Sequence, residues 1–330
     1  MLLTKLICEL GLNHLGDIQR ARRMIDALVA NRIENVTFQA ITDFRAMTRV
    51  GASIAWLEQY ALTPEMMKEG IIDYAGAREM RVGATIADPS RVRDLVDQGI
   101  RFFKILSSDL SYSDLIEAAC ETGLPVYLST GAATLDEIGR AVQIGRGSAK
   151  RTDLRLIHTV LTVPTPHGRH DLRNITTLRT TFGLPVAYGQ HGNDDRALHL
   201  AIALGVESLF VYVAEQDDPT LPDGPNAIAC SRLGDVVDSL RSVEEMLGGA
   251  ERILSVQDEK TRALVRRSVV AAGRISAGEK LDRCKITYKR PGSGMEPWNA
   301  GLLLGKTVLR DVSEDEDLLV TDVSEDKREV

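Results

Sequence analysis

The chain has 330 residues, 44% of them apolar, and a net charge of −7 in which acidic and basic side chains are well mixed. That length exceeds a typical small domain and suits a barrel of roughly 250 residues followed by a small module. The mixed, mildly acidic charge argues against nucleic-acid binding. Cys8, Cys120, Cys230 and Cys284 are scattered with no C-x-x-C pair, so neither a zinc cluster nor a disulfide framework is expected. The first residues run straight into a strand-like segment, with no apolar signal core and no long membrane run, and a cytoplasmic location is expected.

Short apolar, β-branched runs recur at 5–12, 35–40, 81–87, 102–107, 125–129, 153–160, 185–190 and 208–214. Between them the apolar spacing changes to the helical period, as in Ile18, Ala21, Ile25 and Leu28. Thr63-Pro64-Glu65 places a cap before a proline at the first helical position, and Thr134-x-x-Glu137 has capping-box spacing. Eight strand–helix units predict a parallel sheet closed as a (β/α)₈ TIM barrel. No G-x-G-x-x-G follows the first strand, which disfavours an open doubly wound sheet. An insertion at about 42–62, containing Trp56, falls on the catalytic side of such a barrel and is expected to shape a substrate pocket.

Gly248-Gly249 marks a boundary: barrel over 1–249, linker over 250–264, and a small β-rich domain over 265–330. That domain carries the basic turn Lys289-Arg290-Pro291-Gly292, and its size predicts packing against the barrel or a second subunit. Asp311-Val312-Ser313-Glu314-Asp315 recurs as Asp322-Val323-Ser324-Glu325-Asp326 and reads as a solvated edge and a frayed tail.

Chemistry in these barrels gathers at the C-terminal strand ends. There the sequence places Glu9, Asn13 and His14; Gln39; Thr85 and Asp88; Lys104, Ser107, Ser108 and Asp109; Ser129-Thr130-Gly131; His158 and Thr162; Gln190 and His191; Tyr212 and Glu215. The hydroxyls of Thr85, Ser107 and Ser129 around Lys104 suit an oxyanion such as phosphate. A lysine inside an apolar strand needs a partner. Glu9, on a barrel-lining strand, reads either as the partner of a cation or as a catalytic acid/base. His14 and His158 read as hydrogen-bonding core histidines, whereas His191, between Gln190 and Gly192, reads as facing a pocket.

Taken in order, these residues resemble the sialic acid synthase family along nearly the whole chain. Glu9-Leu10-Gly11-Leu12-Asn13-His14-Leu15-Gly16 is similar to E-I-G-x-N-H-x-G, and Phe38-Gln39 to the end of K-F-Q. Lys104-Ile105-Leu106-Ser107 is similar to K-I-x-S, Leu128-Ser129-Thr130-Gly131 to L-S-T-G, and Pro164-Thr165-Pro166 to the end of Y-P-T-P. The basic-turn module resembles the family's C-terminal antifreeze-like (SAF) domain. These enzymes condense phosphoenolpyruvate with an N-acetylated amino sugar, using Mn²⁺ or Mg²⁺, to give a nonulosonic acid and phosphate. The resemblance implies that Thr85, Lys104, Ser107 and Ser129 hold phosphate, that Glu9 serves as acid/base, and that Asp109 contacts the sugar. Gln39 and Thr162 join the substrate-binding set. Arg290 would reach the partner's substrate across a domain-swapped homodimer.

The departures fall at the chemistry. Thr37 replaces the lysine of K-F-Q, Thr162 and Val163 replace the Asn and Tyr of H-C-x-x-N-Y-P, and S-D-H-T becomes Gly189-Gln190-His191-Gly192. Tyr212 stands where the family's second metal-ligating histidine is expected, and Asn226 replaces the acid of G-P-D-H. One histidine makes a poor site for a divalent ion. The expectation is a divergent enzyme without a resident metal or other cofactor, acting on a phosphorylated or carboxylated sugar-like substrate by condensation, lyase or transferase chemistry. Its working groups would be Glu9, Lys104, His191 and Tyr212. Two alternatives stand beside it: a metal-dependent synthase with relocated ligands, such as Glu215 joining His191, and a non-catalytic binding or partner subunit.

Overall fold

The computed structural model describes residues 4–150 and 152–325. Eight strands, β1 (Lys5–Glu9), β2 (Asn35–Gln39), β3 (Arg81–Ile86), β4 (Phe102–Ile105), β5 (Val126–Ser129), β6 (Leu154–His158), β7 (Val186–Gln190) and β8 (Ser208–Ala214), pair in sequence order. All pairs are parallel, and β1 also pairs with β8, which closes the TIM barrel. A two-residue strand, β9 (Ile228–Ala229), adds to β8 outside the ring.

Register decides which residues can meet. Ladder partners point to the same side of a sheet, and side chains alternate along each strand. Ile7, Phe102, Tyr127, Ile157, Ala187 and Phe210 fill the barrel interior as one apolar layer. Two positions further along the same chain segments stand Glu9, Lys104, Ser129, Thr159, Gly189 and Tyr212, which form the next layer at the C-terminal mouth. Gly83 makes room for the layer below, since a Cβ there would lie 2.1 Å from the ring of Phe102.

The outward strand faces bury against the helices. Helix α1 (Ile18–Ala30) turns Ala21, Met24, Ile25 and Leu28 inward, and Asp17 caps it by accepting from the Gln19 amide at 2.8 Å. The Thr63 hydroxyl accepts from the Met66 amide, and Thr134 with Glu137 forms the expected capping box, so both helix starts satisfy orphan backbone donors. The 42–62 insertion forms a helical turn, Phe44–Ala46, and a helix, Gly51–Glu58. Phe44 packs on Leu12 and Ile41, while Trp56 stays exposed against the edge of Tyr60.

A second unit begins at Gly249. It holds a helix, Val256–Val265, capped by Ser255 and Asp258, and an antiparallel pair, β10 (Ser268–Ala271) with β11 (Ile286–Lys289). Its own core includes Val269, Ile275, Leu281, Leu303, Val308 and Leu318. The acidic repeat is a solvated edge at Asp311, Ser313, Glu314, Asp315 and Glu325, as expected from its charge, but each copy is anchored from within. Val312 and Val323 are buried in this core, Asp311 accepts from the Ala277 amide, and Asp322 accepts from the Leu319 amide and Arg310. The tail from residue 326 onward lies outside the described residues. Among the described residues, no helix is long and apolar enough to cross a membrane.

Candidate active site

Lys104 reaches across the barrel mouth from β4 to Glu9 on β1, with Nζ donating to Oε2 at 2.5 Å. Both are buried, at 4% and 5% exposure. Taking two charges out of water costs several kcal/mol per ion, roughly, and their attraction repays it only with good geometry. The ammonium also lies 5.2 Å from the ring centre of Phe210 and 5.8 Å from that of Tyr212, two electron-rich faces that help hold it. Glu9 is thus the partner of a cation that itself lines a cavity.

That cavity has a volume of about 160 Å³ and is walled by Lys104, Ser107, Ser129, Thr159, His191 and Tyr212, among others. None of its described lining residues comes from the 42–62 insertion. Ser107 Oγ accepts from the Gly131 amide at 3.0 Å, which orients its own proton away from that turn. The Ser129 and Thr85 hydroxyls have no protein partner among the described residues. Thr85 is in register with Lys104 and with Gln39, which is half-buried. Asp109 is half-buried beside Ser108, and burial raises its pKa above the ordinary carboxylate value. Thr162 is exposed and borders a different cavity, of about 330 Å³, between the loops after β5 and β6; it is not brought to Lys104. Arg290 belongs to the second unit, where its side chain is exposed.

His191 donates from Nδ1 to the Val160 carbonyl at 2.7 Å, because a carbonyl can only accept. Its Nε2 therefore carries a lone pair. Burial, with the charge of Lys104, holds the imidazole pKa below its usual value. Tyr212 lies 5.8 Å from it, ring centre to ring centre. Burial, then the negative charges of Glu9 and Asp223, keep the phenol pKa well above the ordinary tyrosine value. The Tyr212 hydroxyl is a proton donor with no partner among the described residues.

This donor set does not fit a resident divalent ion. It offers one imidazole nitrogen, a phenol that keeps its proton, and two carboxyl groups, Glu9 engaged by an ammonium and Asp223 by the Leu12 amide. Among the described residues no group of three or more His, Cys, Asp or Glu side chains converges as a metal site. Glu215 does not join His191: Arg23 holds it at 2.6 Å and Arg20 at 3.6 Å, on the α1 side. Thr37, where the resemblance expects a lysine, is fully buried in register with Glu9, and its hydroxyl has no partner.

His14 and His158 are core histidines, as their surroundings in the sequence indicate. His14 Nδ1 accepts from the Gly16 amide, and burial pushes its pKa down to about 4. His158 donates from Nε2 to the His170 carbonyl and stacks on Tyr188.

One member of the site is not singled out by the sequence. Asp223, in the loop after β8, accepts from the Leu12 amide at 2.8 Å through Oδ2, and its own amide donates to Asn13 Oδ1 at 3.0 Å. Asn13 in turn donates to the Val213 carbonyl at 2.9 Å. A Cβ at Gly11 would lie 2.2 Å from Asp223 Oδ2 and 2.8 Å from Tyr212 Cδ1, and Gly11 has φ +54°. Carboxylate and phenol ring therefore share a small space that only glycine leaves open. The sole sequence signal is Gly11 itself, directly after a strand end.

The fold and the mouth define a TIM-barrel protein with a small polar cavity beside a buried Glu–Lys pair, followed by a small β-rich domain. The chain belongs to the NeuB family, which it matches over residues 5–252, and a SAF domain follows over residues 266–323. It is 29% identical over 313 residues to an uncharacterised protein of Methanocaldococcus jannaschii, covering 95% of this chain and 92% of that one. It is 25% identical over 330 residues to N,N'-diacetyllegionaminic acid synthase of Campylobacter jejuni, covering 95% and 98%. The crystal structure of N-acetylneuraminic acid synthetase from Leptospira borgpetersenii superposes with a TM-score of 0.72 at 24% identity, covering 78% of this chain and 90% of that one.

Proposed function

We propose that this protein is a condensing enzyme that joins an enol phosphate such as phosphoenolpyruvate to a sugar-like carbonyl compound without a resident divalent metal. The observation that carries the reading is the buried Glu9–Lys104 pair facing the unpartnered Tyr212 hydroxyl and His191 Nε2 across one small cavity. A solitary structural ion pair has no need of open donors opposite it. Lys104, Ser107 and Ser129 would hold the anionic end, with Thr85 and Gln39 behind them. The enol carbon would bond to the carbonyl carbon, whose oxygen gains a proton while hydrogen-bonded to Tyr212. Water would then add to the phosphate-bearing carbon, give up its proton to Glu9 or His191, and phosphate would leave.

The fit of the donor set supports the metal-free part, and kinship with a legionaminic acid synthase supports the sugar-like substrate. In this reading the working unit is a homodimer in which Arg290 of one copy serves the other, as the resemblance implies. Mixing two inactive variants, Lys104→Ala and Arg290→Ala, would then restore up to about a quarter of the activity, because one site in four would combine two intact halves.

The direct test is phosphate release from phosphoenolpyruvate across a panel of N-acylated amino sugars, after exhaustive chelation. Release that survives chelation and disappears in Glu9→Gln is the expected result. Activity lost on chelation and restored by Mn²⁺ would identify a metal-dependent synthase. No release with any sugar, and no binding of phosphoenolpyruvate, would identify a non-catalytic subunit.

A further inference from the structure

The mouth holds two carboxyl groups, and only one is neutralised. Glu9 has Lys104, whereas among the described residues Asp223 receives one backbone hydrogen bond, from Leu12, and forms no ion pair. Asp223 is wedged over Gly11 against the Tyr212 ring, and its backbone is tied to Asn13 on the β1 side. Glu9 on β1, Lys104 on β4 and Tyr212 on β8 are the ionisable groups that face it. Part of Asp223 is exposed, so protons can reach it from solvent.

We propose that Asp223 is the proton-holding carboxyl of this site and that it becomes more protonated, by up to about half a proton per anion, when an anion fills the barrel mouth. The step balances simply: the carboxylate and a solvent proton give a neutral carboxylic acid, and the bound anion supplies the charge that drives it. Burial, with Glu9 adding to it, already pushes the Asp223 pKa up to about 6, against the opposing Leu12 hydrogen bond and Lys104. A further negative charge nearby moves it in the same direction. The loaded carboxyl then stands beside Tyr212, on the side where the proposed condensation needs a proton. The inference rests on the anion-binding part of the proposed function.

The test is calorimetric titration of the wild-type protein with sulfate, which does not itself titrate near neutrality, in buffers of different ionisation enthalpy. Net proton uptake on binding is expected at pH 7. The apparent Kd should weaken about tenfold between pH 5.5 and 8, as a one-unit rise in the pKa of the bound state requires. In Asp223→Asn, which keeps an oxygen for the Leu12 amide, uptake should vanish and the Kd stay within about twofold over that range. His191 is the competing acceptor, so His191→Gln should retain the uptake. Uptake unchanged in Asp223→Asn, or binding without uptake in the wild type, overturns this inference and leaves the anion site standing. Failure of both sulfate and phosphoenolpyruvate to bind at millimolar concentration overturns the anion site as well. If the variant does not fold, a carboxyl ¹³C titration of Asp223 in the wild-type protein decides the matter instead: its pKa should rise when sulfate is added, and an unchanged pKa overturns the inference.

Discussion

The two ends of the barrel each enclose a charged cavity of similar size, about 160 Å³ at the C-terminal mouth and about 140 Å³ at the N-terminal end, and they are built in opposite ways. At the N-terminal end the charges around Arg155 are densely paired, although Asn35 and Arg81 also line that cavity. Arg155 is held by both oxygens of Asp153 and by Glu207, and Glu207 also accepts from Lys5, the Tyr127 hydroxyl and Ser208. At the mouth one ammonium meets one carboxylate, and Tyr212, His191, Ser129 and Thr85 face inward with hydrogen-bonding capacity to spare. A buried polar group left unpaired costs about 1–3 kcal/mol. The pairing around the central cation differs: Lys104 at the proposed working end has one carboxylate partner, whereas Arg155 at the other end has two.

The largest effect that would test this contrast comes from cutting one arginine or lysine at each end. Lys104→Met leaves Glu9 buried and alone, so a stability loss of about 3–5 kcal/mol is expected in urea denaturation, together with complete loss of phosphate release. Adding Glu9→Gln to the same chain should recover much of the stability and none of the activity. Arg155→Met should lower stability too, yet leave kcat within about threefold in the protein that remains folded, because nothing at that end touches substrate. Turnover abolished by Arg155→Met in a folded protein would break the comparison.

A smaller change at the mouth tests how tightly it is filled. In Gly11→Ala the new methyl meets Asp223 and Tyr212, and overpacking of this kind costs about 1–3 kcal/mol. The positive φ adds strain that glycine avoids. The expected signature is a raised KM and weaker anion binding, because Tyr212 and Asp223 must shift.

Two groups sharpen the contrast through pH. Asp223 has a folded pKa raised to about 6 from an ordinary 3.8, so the stability linked to its protonation is complete below about pH 4 and is lost as pH rises through 6. Asp223→Asn should therefore raise the Tm at pH 8, by an amount equivalent to about 1–3 kcal/mol, and change it little at pH 4.5. His14, depressed to about 4 from 6.5, has the opposite sign: its contribution is complete above about pH 6.5 and lost as pH falls toward 4. The variant should thus alter only the alkaline limb of the stability profile. A uniform shift at all pH values would mean that Asp223 acts through packing alone.

These residues also show what a sequence reveals of such a site. Glu9, Thr85, Lys104, Ser129 and Tyr212 can be placed because strands alternate strictly, so one inward residue per strand fixes the rest. Loop residues have no such rule. The place of Thr162 in a motif points to the substrate, but the loop after β6 directs it to the neighbouring cavity. Asp223 lies in Pro222-Asp223-Gly224-Pro225, which reads as an ordinary turn until the chain folds it back over Gly11. The acidic repeat is read correctly as largely solvated in its first copy, while the one valine in each copy, outnumbered by charges, anchors it in the core of the second unit.

The smallest expected effect is a null one, and it bears on the proposed metal-free chemistry as a whole. Removing divalent ions with a strong chelator should leave activity within about twofold and the Tm unchanged, since a ligand stabilises a protein only in proportion to its occupancy. The cause is electrostatic. A divalent ion near His191 Nε2 would lie close to the Lys104 ammonium, with Glu9 engaged by that ammonium and Asp223 by the Leu12 amide. Like charges at such range repel, and too few anionic ligands remain to offset them. Tyr212 could supply a phenolate, but Glu9 and Asp223 both oppose its ionisation. Tyr212→His tests the same cause in reverse. Replacing the phenol by a second imidazole should create measurable Mn²⁺ affinity where the wild type has little. If instead the wild type binds Mn²⁺ tightly and Tyr212→His does not tighten it, the phenol is not what keeps the ion out.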